Sequence, residues 1–393
     1  MLQKKKLAIV TTHPIQYYAP LFQMLQKEID IRVFYTWGED SVQKFDPGFG
    51  KIIEWDIPLL NGYPYEFMVN TAKKPGSDHF WGIVNPTLIP AIKAYMPHAI
   101  LVLGWAYQSH FQVMRFFKGR IPVWFRGDST ILDHTQGFYG FLKNSIRKVV
   151  LKYVYSYTDI LFYVGKTNFN YLQWIGISAS KLHFTPHAID NHRFASVNPE
   201  KVAALRKSLE IPDDAIIILY AGKLEQKKNP LLVIEAFKKV AISRQYLIIV
   251  GNGNLKEKVN TAIQQSNKMN QIKFLGFQNQ LMMPVIYQLA DLFVLPSSGP
   301  QETWGLAVNE AMAASCSIWV TEKVGCAADL VQEGVNGKIL PAGNSALWEN
   351  AILDATDKES LQQQGLQSKR IIENFTYQHI VSKMVGQLNQ NSR

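Results

Sequence analysis

The most constraining feature of this chain is the regular alternation of short apolar runs with longer helical windows. The apolar runs are almost continuously hydrophobic, which is typical of parallel strands covered on both faces. Ten such runs are too many for one compact sheet, so the sequence predicts an α/β protein with two doubly wound, Rossmann-like domains. The predicted strands are KLAIVTT, IRVFYTW, AILVLGW, IPVWFRG and ILFYVG in the first half, and AIIILYAG, QYLIIVG, IKFLGF, LFVLPSS and SIWVTE in the second.

A polar, proline-containing segment separates the two sets of strands. It runs from FTPHAIDNHRF to SLEIPDDA, and strand-like sequence starts again at Ile216. We therefore predict an N-terminal domain over 1–190 and a C-terminal domain over 191–372. The tail from about 373 to 393 is amphipathic, and two interpretations stay open: a closing helix that packs back on the first domain, or a frayed end.

The chain is basic. Its 393 residues include 41 Lys and Arg against 31 Asp and Glu, a formal net charge of +10. In one interpretation this charge only keeps the protein soluble. In the others it attracts anionic nucleotides, an acidic membrane surface or nucleic acid. The start MLQKKKLAIVTTHP lacks the apolar core of a signal peptide, and no stretch reaches the roughly 18 apolar residues of a membrane span. We therefore predict a cytoplasmic protein, with both cysteines, Cys316 and Cys326, buried.

Two glutamates lie in the stretch PSSGPQETWGLAVNEAMAAS, between a predicted strand and a predicted helix. Gly305 falls where the helix should begin, so unpaired N–H groups and the positive dipole end would meet a ligand there. Glu302 precedes the helix, and Glu310 lies about a turn and a half into it. A ligand that joins phosphate to hydroxyl-rich groups, such as a nucleotide sugar, suits this arrangement. The alternative is an exposed loop acid and a surface helix acid.

A second candidate site follows the strand AIIILYAG. Gly222 permits a tight turn, and Lys223 and Lys228 lie in the loop before the helix that Pro230 begins. Two ammonium groups near strand carboxyl ends could bind a diphosphate and neutralise charge on a leaving nucleotide. The alternative is a solvated lysine loop. The glycine-rich VGNGN turn is a weaker anion signal, because any strand-to-helix turn favours glycine.

The chain has no Asp-x-Asp pair, the usual carboxylate ligand of Mg²⁺ or Mn²⁺ in a metal-dependent sugar-nucleotide site. It also has no P-loop, and no GxGxxG in its first half. These absences argue against a dinucleotide oxidoreductase. They predict that the two lysines and the helix dipole do the electrostatic work of a metal ion, with no metal required.

Together, several segments resemble glycosyltransferase family 4, the retaining enzymes of the GT-B fold. The resemblance covers roughly the whole chain and is most specific in the second half. It implies two Rossmann-like domains facing a central cleft, and transfer of a hexose-type sugar from a UDP- or GDP-linked donor to a saccharide or lipid-linked acceptor. Cell-surface polysaccharide or glycolipid synthesis is the implied setting. The segments are YAGKLEQKKNPLLVIEAF, FLGF with YQLADLFVLPSS, QETWGLAVNEAMAA, VGCAADLVQEGVNGKILP, PHAIDNHRF and KLAIVTTHPIQYYAPLFQML.

The resemblance also implies roles for single residues. Lys223 and Lys228 match the basic pair on the donor diphosphate, Glu302 matches the glutamate at the donor sugar, and Glu310 the one at the ribose hydroxyls. The main chain at Phe277 matches the position that reads the nucleobase. The loop between the glutamates would offer amides to the phosphates, through Thr303, Trp304, Gly305, Leu306 and Ala307.

The first half departs from the family pattern. A histidine of many relatives corresponds to Arg126, which cannot act as a base at neutral pH. Arg126 would then stabilise the leaving phosphate or bind an anionic acceptor, and Asp128 would orient it or accept the acceptor's proton. The alternative is a structural Arg–Asp contact at a strand end. His13 and His110 are further candidates on the acceptor side, although a single histidine is more often structural than catalytic.

The segment YGFLKNSIRKVVLKYVYSYTD, near 139–157, mixes cations with apolar residues at helical spacing. It is either an interfacial helix that contacts anionic lipid at the inner face of the cell membrane, or an ordinary helix on the first sheet with solvated cations. Nucleic acid is not a predicted partner, because the basic residues are spread through the chain and no nucleic-acid motif stands out.

Two other functions stay open. The first is a nucleotide-sugar 2-epimerase of the same fold, and the second is a non-catalytic basic binder of membranes or nucleic acid. The sequence does not identify the sugar, the nucleotide, the acceptor or the oligomeric state.

Overall fold

The protein is described by a computed structural model that covers residues 4–390, apart from 44, 47–50, 53–54, 134–136, 197, 240–243 and 300–301. The chain divides into two compact units. Unit 1 comprises Met1–Lys44, Pro58–Pro186 and Tyr377–Arg393, and unit 2 comprises Phe45–Ile57 and His187–Thr376. The main division thus follows Pro186, close to the predicted boundary at 190. The segment Phe45–Ile57 belongs to unit 2, which nothing in the sequence pattern indicated.

The strands are short and mostly buried. In chain order they are β1 Lys6–Thr11, β2 Asp30–Tyr35, β3 Phe45–Asp46, β4 Lys51–Ile52, β5 Tyr65–Phe67, β6 Ala99–Leu103, β7 Val123–Arg126, β8 Ile160–Tyr163, β9 Leu182–Phe184, β10 Ile216–Ala221, β11 Gln245–Val250, β12 Ile272–Gly276, β13 Leu292–Leu295, β14 Ser317–Thr321 and β15 Gly337–Leu340.

Helices connect the strands. They are α1 Ala19–Glu28, α2 Leu88–Tyr95, α3 Gln108–Phe117, α4 Gly137–Tyr155, α5 Lys166–Ile175, α6 Asn191–Ala195, α7 Pro199–Ser208, α8 Pro230–Lys239, α9 Lys256–Gln264, α10 Met283–Leu289, α11 Leu306–Ala313, α12 Ala327–Leu330, α13 Ser345–Asp354, α14 Lys358–Ile372 and α15 Tyr377–Gln390.

Unit 1 contains a seven-stranded parallel sheet in the order β5-β2-β1-β6-β7-β8-β9. Its central strand β6 is wholly buried, and the adjacent β1 is buried apart from Lys6, as their continuous apolar runs predict. The C-terminal helix α15 packs on α1 of the same unit. There Tyr377 donates its hydroxyl to the carbonyl of Tyr17 (3.0 Å), and Lys5 Nζ donates to the carbonyl of Leu388 (3.2 Å).

Unit 2 contains a six-stranded parallel sheet in the order β12-β11-β10-β13-β14-β15. The chain first runs outward from β10 through β11 to β12. It then returns to the other side of β10 and continues outward through β13, β14 and β15. The strand order therefore reverses between β10 and β13, and such a switch point is where open α/β sheets bind ligands.

Local sequence explains where several helices begin. Asn198, Asn344 and Asp357 accept hydrogen bonds from backbone N–H groups at the starts of α7, α13 and α14. Proline occupies the first turn of α1, α7 and α10, where its missing N–H has no helical partner to lose.

Candidate functional site

The site in unit 2 is built on the two loops at the switch point of its sheet. β10 lies directly beside β13, with Ile218 opposite Leu292 and Leu219 opposite Phe293. The loop after β10 carries Lys223 and Lys228, and the loop after β13 carries Glu302. Because the carboxyl ends of parallel strands meet at one edge of a sheet, these two loops emerge side by side.

The structure brings the two predicted charges together. Lys228 Nζ forms an ion pair with Glu302 Oε2, and both side chains are largely buried. The two loops are also joined through the main chain, where Ser298 N donates to the carbonyl of Lys227 (2.8 Å). A pair that is shielded from water interacts more strongly than a surface pair. The geometry therefore removes the alternative of a solvated lysine loop and an exposed acid for these two residues.

Further contacts fix the orientation of Glu302. Ser297 Oγ donates a 3.1 Å hydrogen bond to Glu302 Oε2, and the carbonyl of Ser297 accepts a hydrogen bond from Thr321 Oγ1 on β14. The Glu302 carbonyl accepts from Gly325 N (2.9 Å). The carboxylate is thus held from both its side chain and its backbone. Such a rigid acid suits ligand positioning, since little side-chain entropy is lost when the ligand binds.

The helix α11 begins where the sequence predicts. Gly305 precedes its first residue, and its φ of 94° lies in the left-handed region that favours glycine. A Cβ on Gly305 would lie 2.9 Å from Val324 Cγ1, so the space is closed as well. Among the described residues no side chain caps this helix, which leaves its first amides for another partner. Thr303, Trp304, Leu306 and Ala307 lie on either side of this turn.

Glu310 lies on α11 and is buried. Tyr287 on α10 donates its hydroxyl to Glu310 Oε2 (2.9 Å). The neighbouring residue Asn309 makes two further hydrogen bonds. Trp304 Nε1 donates to Asn309 Oδ1 (2.8 Å), and Asn309 Nδ2 donates to the carbonyl of His187 (3.1 Å). These contacts hold α11 against its neighbours, which excludes a simple surface acid at Glu310.

The glycines of VGNGN have a packing role. A Cβ on Gly251 would lie 1.9 Å from the carbonyl oxygen of Gly222, and one on Gly253 would lie 2.5 Å from that of Leu224. Hydrogen bonds run between the same loops, from Gly222 N to Val250 O (3.0 Å) and from Leu224 N to Asn252 O (2.9 Å). The loop after β11 therefore supports the lysine loop from one side.

Lys223 and Phe277 lie at the same edge of the sheet. The carbonyl of Lys223 accepts a 3.0 Å hydrogen bond from the hydroxyl of Tyr220. Burial raises the pKa of Tyr220, and the negative charge of Glu302 raises it further, so this hydroxyl stays protonated as a donor. Phe277 is half-buried and follows β12, whose last residue, Gly276, accepts from Gly251 N (2.8 Å).

In unit 1, Arg126 is the last residue of β7 and is buried. Its guanidinium donates to the carbonyl of Pro186 (3.0 Å), to Thr185 through its side-chain and main-chain oxygens, and to the hydroxyl of Tyr18 (3.2 Å). Burial raises the pKa of Tyr18, on which the charges of Arg126 and Asp128 act in opposite directions. Arg126 therefore holds Thr185 and Pro186, the last residues of the Pro58–Pro186 segment of unit 1, in place. This placement favours a structural role, and its predicted catalytic role and that of Asp128 stay predictions.

The two candidate histidines differ. His110 is fully buried between Thr36 Oγ1 and the carbonyl of Gly104, each 2.8 Å from a ring nitrogen. Burial lowers its pKa to about 4, so the imidazole is neutral at physiological pH. This placement favours a structural role, and the predicted acceptor-side role of His110 stays a prediction. His13 lies in the loop after β1, with Nδ1 2.8 Å from Thr12 Oγ1 and its ring edge-on to Trp37. It remains a candidate on the acceptor side.

Three residues of the site were not predicted: Tyr287, Ser297 and Asn309. Their sequence context gives only a weak signal, since Tyr287 and Asn309 lie within apolar helices and Ser297 lies in the loop after β13. Within the described part of the chain, no group of three His, Cys, Asp or Glu side chains is arranged to hold a metal ion. None of the described helices combines the length and apolar character of a membrane span.

Unit 2 contains a segment that matches a known protein family. Residues 201–374 match the family model described as Glycosyl transferases group 1. Among curated proteins, the chain is 26% identical over 195 residues to the lipopolysaccharide 1,2-N-acetylglucosaminetransferase of Salmonella typhimurium, covering 47% of this chain and 51% of that one. It is 27% identical over 217 residues to the putative glycosyltransferase EpsD of Bacillus subtilis, covering 54% and 55%. The chain thus spans about half the length of these relatives.

Solved structures resemble the whole chain. Anabaena HepE in complex with UDP and glucose has a TM-score of 0.71 at 17% identity, covering 98% of this chain and 100% of that one. Sucrose-phosphate synthase from Thermosynechococcus elongatus has a TM-score of 0.73 at 17% identity, covering 98% of each. At such identities the likeness establishes the fold. The predicted fold class, α/β of the GT-B type with two Rossmann-like units, is confirmed.

Proposed function

We propose that this protein is a retaining glycosyltransferase of family 4. It moves a hexose-type sugar from a nucleotide-sugar donor to a saccharide or lipid-linked acceptor. Unit 2 binds the donor, unit 1 receives the acceptor, and no metal ion is required. The match of residues 201–374 to a glycosyltransferase model, and relatives that act on lipopolysaccharide, support this class of reaction.

The observation that carries the proposal is the buried ion pair between Lys228 and Glu302 beside the uncapped start of α11. A buried ion pair is costly to desolvate unless further polar contacts satisfy it. Here it stands next to amides that favour an anion and a second lysine in the same loop. A sugar diphosphate would use all of these groups, because its phosphates need cations and amides and its sugar hydroxyls need a carboxylate.

The proposed step is a substitution at C1 of the donor sugar. The bond between C1 and the phosphate oxygen breaks, and its electron pair moves to the leaving diphosphate. Lys223, Lys228 and the amides from Thr303 to Ala307 stabilise the growing negative charge. The acceptor hydroxyl forms the new bond to C1 on the same face of the sugar, and its proton passes to the departing phosphate oxygen.

The contacts within the site support a position for each part of the donor in this proposal. Glu302 is oriented by Ser297 and accepts hydrogen bonds from the donor sugar hydroxyls. Glu310, held by Tyr287, accepts from the ribose. The main chain at Phe277 contacts the base, for which UDP or GDP is the proposed nucleotide. The structure of Anabaena HepE holds UDP and glucose, which supports a donor of this kind. A lipid-linked acceptor would be met at an anionic membrane surface.

A donor screen tests the proposal. The melting temperature is measured with UDP-, GDP- and ADP-linked sugars, each with and without EDTA. One nucleotide should raise it by the same amount in both conditions, because a ligand that binds only the native state stabilises it. No shift with any donor, or a shift abolished by EDTA, contradicts the proposal or its metal independence respectively. Incubation with donor alone separates an epimerase, which would convert the sugar without an acceptor.

Two variants test the residues. Lys228→Ala and Glu302→Gln should each reduce transfer at least about 100-fold, as removal of one transition-state donor does in other enzymes. The matched controls are Lys227→Ala, at the adjacent position, and Glu257→Gln, an exposed side chain on α9. Both controls should keep near-normal rates. Full activity in Lys228→Ala or Glu302→Gln with the identified donor would remove the site assignment.

A further inference from the structure

The helix α4 has an apolar face where a surface helix normally has a polar one. Its buried residues, Leu151, Val154 and Tyr155, lie along one side and belong to the core of unit 1. The opposite side faces solvent and is apolar: Tyr139 is 86% exposed, Val149 70% and Ile146 58%. An ordinary amphipathic helix places polar residues there, so the simple interpretation of this helix does not account for its pattern.

The exposed apolar residues form one continuous stripe. At 3.6 residues per turn they fall within an arc of about 100° on the helix surface. We call this stripe the α4 surface, and it consists of Tyr139, Leu142, Ile146, Val149, Val150 and Tyr153.

Cations border the α4 surface on both sides. By the same helical geometry, Lys143 lies along one edge and Lys152 along the other, and both are exposed. The 19 residues of α4 include no Asp or Glu. Lys148 and Arg147 also extend over rings of α5, which fixes the helix in place on unit 1.

A row of aromatic residues continues the α4 surface. Tyr153 contacts Phe111 on α3, with ring centroids 6.4 Å apart, and Phe111 contacts Phe80 at 6.3 Å. Phe80 in turn meets Trp81, which is 65% exposed. Arg115, also exposed, lies over the ring of Phe111. Tyrosine and tryptophan at the rim of an apolar patch are typical of the region between lipid headgroups and acyl chains.

We propose that the α4 surface docks unit 1 onto an anionic lipid bilayer. The apolar stripe enters the boundary between headgroups and acyl chains, and Lys143 and Lys152 contact the anionic headgroups on either side. Charge complementarity selects this occupant. A second copy of this basic chain would bring the same unbalanced cations against themselves, which is unfavourable without acidic partners. The proposal depends on the proposed function only for the acceptor, since bilayer binding needs no donor or transfer.

Co-sedimentation with vesicles tests the docking. Vesicles of phosphatidylcholine with about one third phosphatidylglycerol are compared with pure phosphatidylcholine, without nucleotide. The protein should sediment with the anionic vesicles only. Binding should weaken steeply when NaCl rises from about 0.1 M to about 1 M, because salt screens the cation–headgroup attraction. Equal binding to both vesicles, or none to either, overturns the proposal.

Two double variants separate the stripe from its edges. The stripe variant Ile146→Ser/Val149→Ser should weaken vesicle binding at least about tenfold. The edge variant Lys143→Gln/Lys152→Gln should weaken it roughly 30-fold, at the usual contribution of a cation near an anionic surface. All four side chains are exposed and none packs in the core, so the fold should persist. An unchanged melting temperature verifies this.

The chain offers matched controls on unit 2. Val335→Ser/Leu366→Ser removes two exposed apolar side chains, and Lys256→Gln/Lys258→Gln removes two exposed cations. Neither pair should change vesicle binding. If the stripe variant binds as the wild type does, or if light scattering shows a dimer that only the stripe variant dissociates while vesicles stay unbound, the α4 surface is not a bilayer-docking surface.

Discussion

The hydroxyl of Tyr287 donates a 2.9 Å hydrogen bond to Oε2 of Glu310, and both side chains are buried between α10 and α11. A carboxylate in this position needs a donor, because its charge is otherwise poorly solvated. The contact joins the helix before β13 to the helix after it. The position of Glu310 thus depends on packing outside the loop that precedes α11.

Replacing Tyr287 with Phe should therefore destabilise unit 2 by about 1–3 kcal/mol, the usual cost of leaving a buried acceptor short of a partner. Nucleotide affinity should fall in parallel, since Glu310 is the proposed ribose ligand. Urea unfolding and nucleotide titration measure the two effects. The control is Tyr246→Phe on the half-buried face of β11, which should change neither. Unchanged affinity in Tyr287→Phe would separate this contact from donor binding.

Gly305→Ala should destabilise the fold by about 1–3 kcal/mol, because Gly305 has a positive φ and its Cβ would press on Val324. Gly386→Ala is a matched control in helix α15, where nothing lies within 4 Å of the added Cβ. That change should stabilise by roughly 0.5–1 kcal/mol through helix propensity. Thermal unfolding of both variants should therefore give shifts of opposite sign. A shift of the same sign in both would contradict the strained turn.

His110 predicts a pH dependence of stability. Its folded pKa of about 4 lies below the unfolded value near 6.5, so the unfolded state binds a proton first as pH falls. Its contribution is complete above about pH 6.5 and is lost as pH falls toward 4, by roughly 3 kcal/mol in all.

The stability advantage of the wild type over His110→Phe should accordingly shrink between pH 7 and pH 4 in urea unfolding. Other titrating groups are common to both proteins and cancel in this difference. A pH-independent difference for His110→Phe would show that the imidazole is not held neutral.

The two thiols should be unreactive in the native protein. Cys316 and Cys326 are buried, and burial raises the pKa of each, so little thiolate forms at pH 8. Labelling with an aromatic disulfide reagent should be slow until guanidinium unfolds the chain, when both thiols should react. Rapid native labelling of either residue would contradict its placement.

All ten strands that the sequence predicted are present, and nine of them are mostly buried, whereas the edge strand β12 is only partly buried. The other five described strands, β3, β4, β5, β9 and β15, were not predicted, because they have only two to four residues each. Of these, β5, β9 and β15 lie at sheet edges, where long apolar runs are not required. The sequence placed Lys228 and Glu302 after separate strands. Only strand order brings them into contact.

The residues that hold the two glutamates and α11 in place could not be predicted from the sequence. Tyr287, Ser297 and Asn309 are isolated polar side chains. Tyr287 and Asn309 lie inside apolar helices and bond to Glu310 and His187, which are distant in the sequence, whereas Ser297 bonds to Glu302 across the loop after β13. No local pattern reveals which carboxylate or carbonyl such a residue meets. The catalytic and binding roles of Lys223, Lys228, Glu302 and Glu310 stay predictions until a donor is identified.

The reversal of strand order between β10 and β13 has a consequence during protein synthesis. β10 and its lysine loop leave the ribosome first, and the chain must complete β11, α9, β12 and α10 before β13 can take its place. Until then the ion pair between Lys228 and Glu302 cannot form. The proposed donor site therefore lacks its ion pair until β13 and the loop that carries Glu302 have been added, so donor binding at this site would stabilise these longer chains over shorter ones.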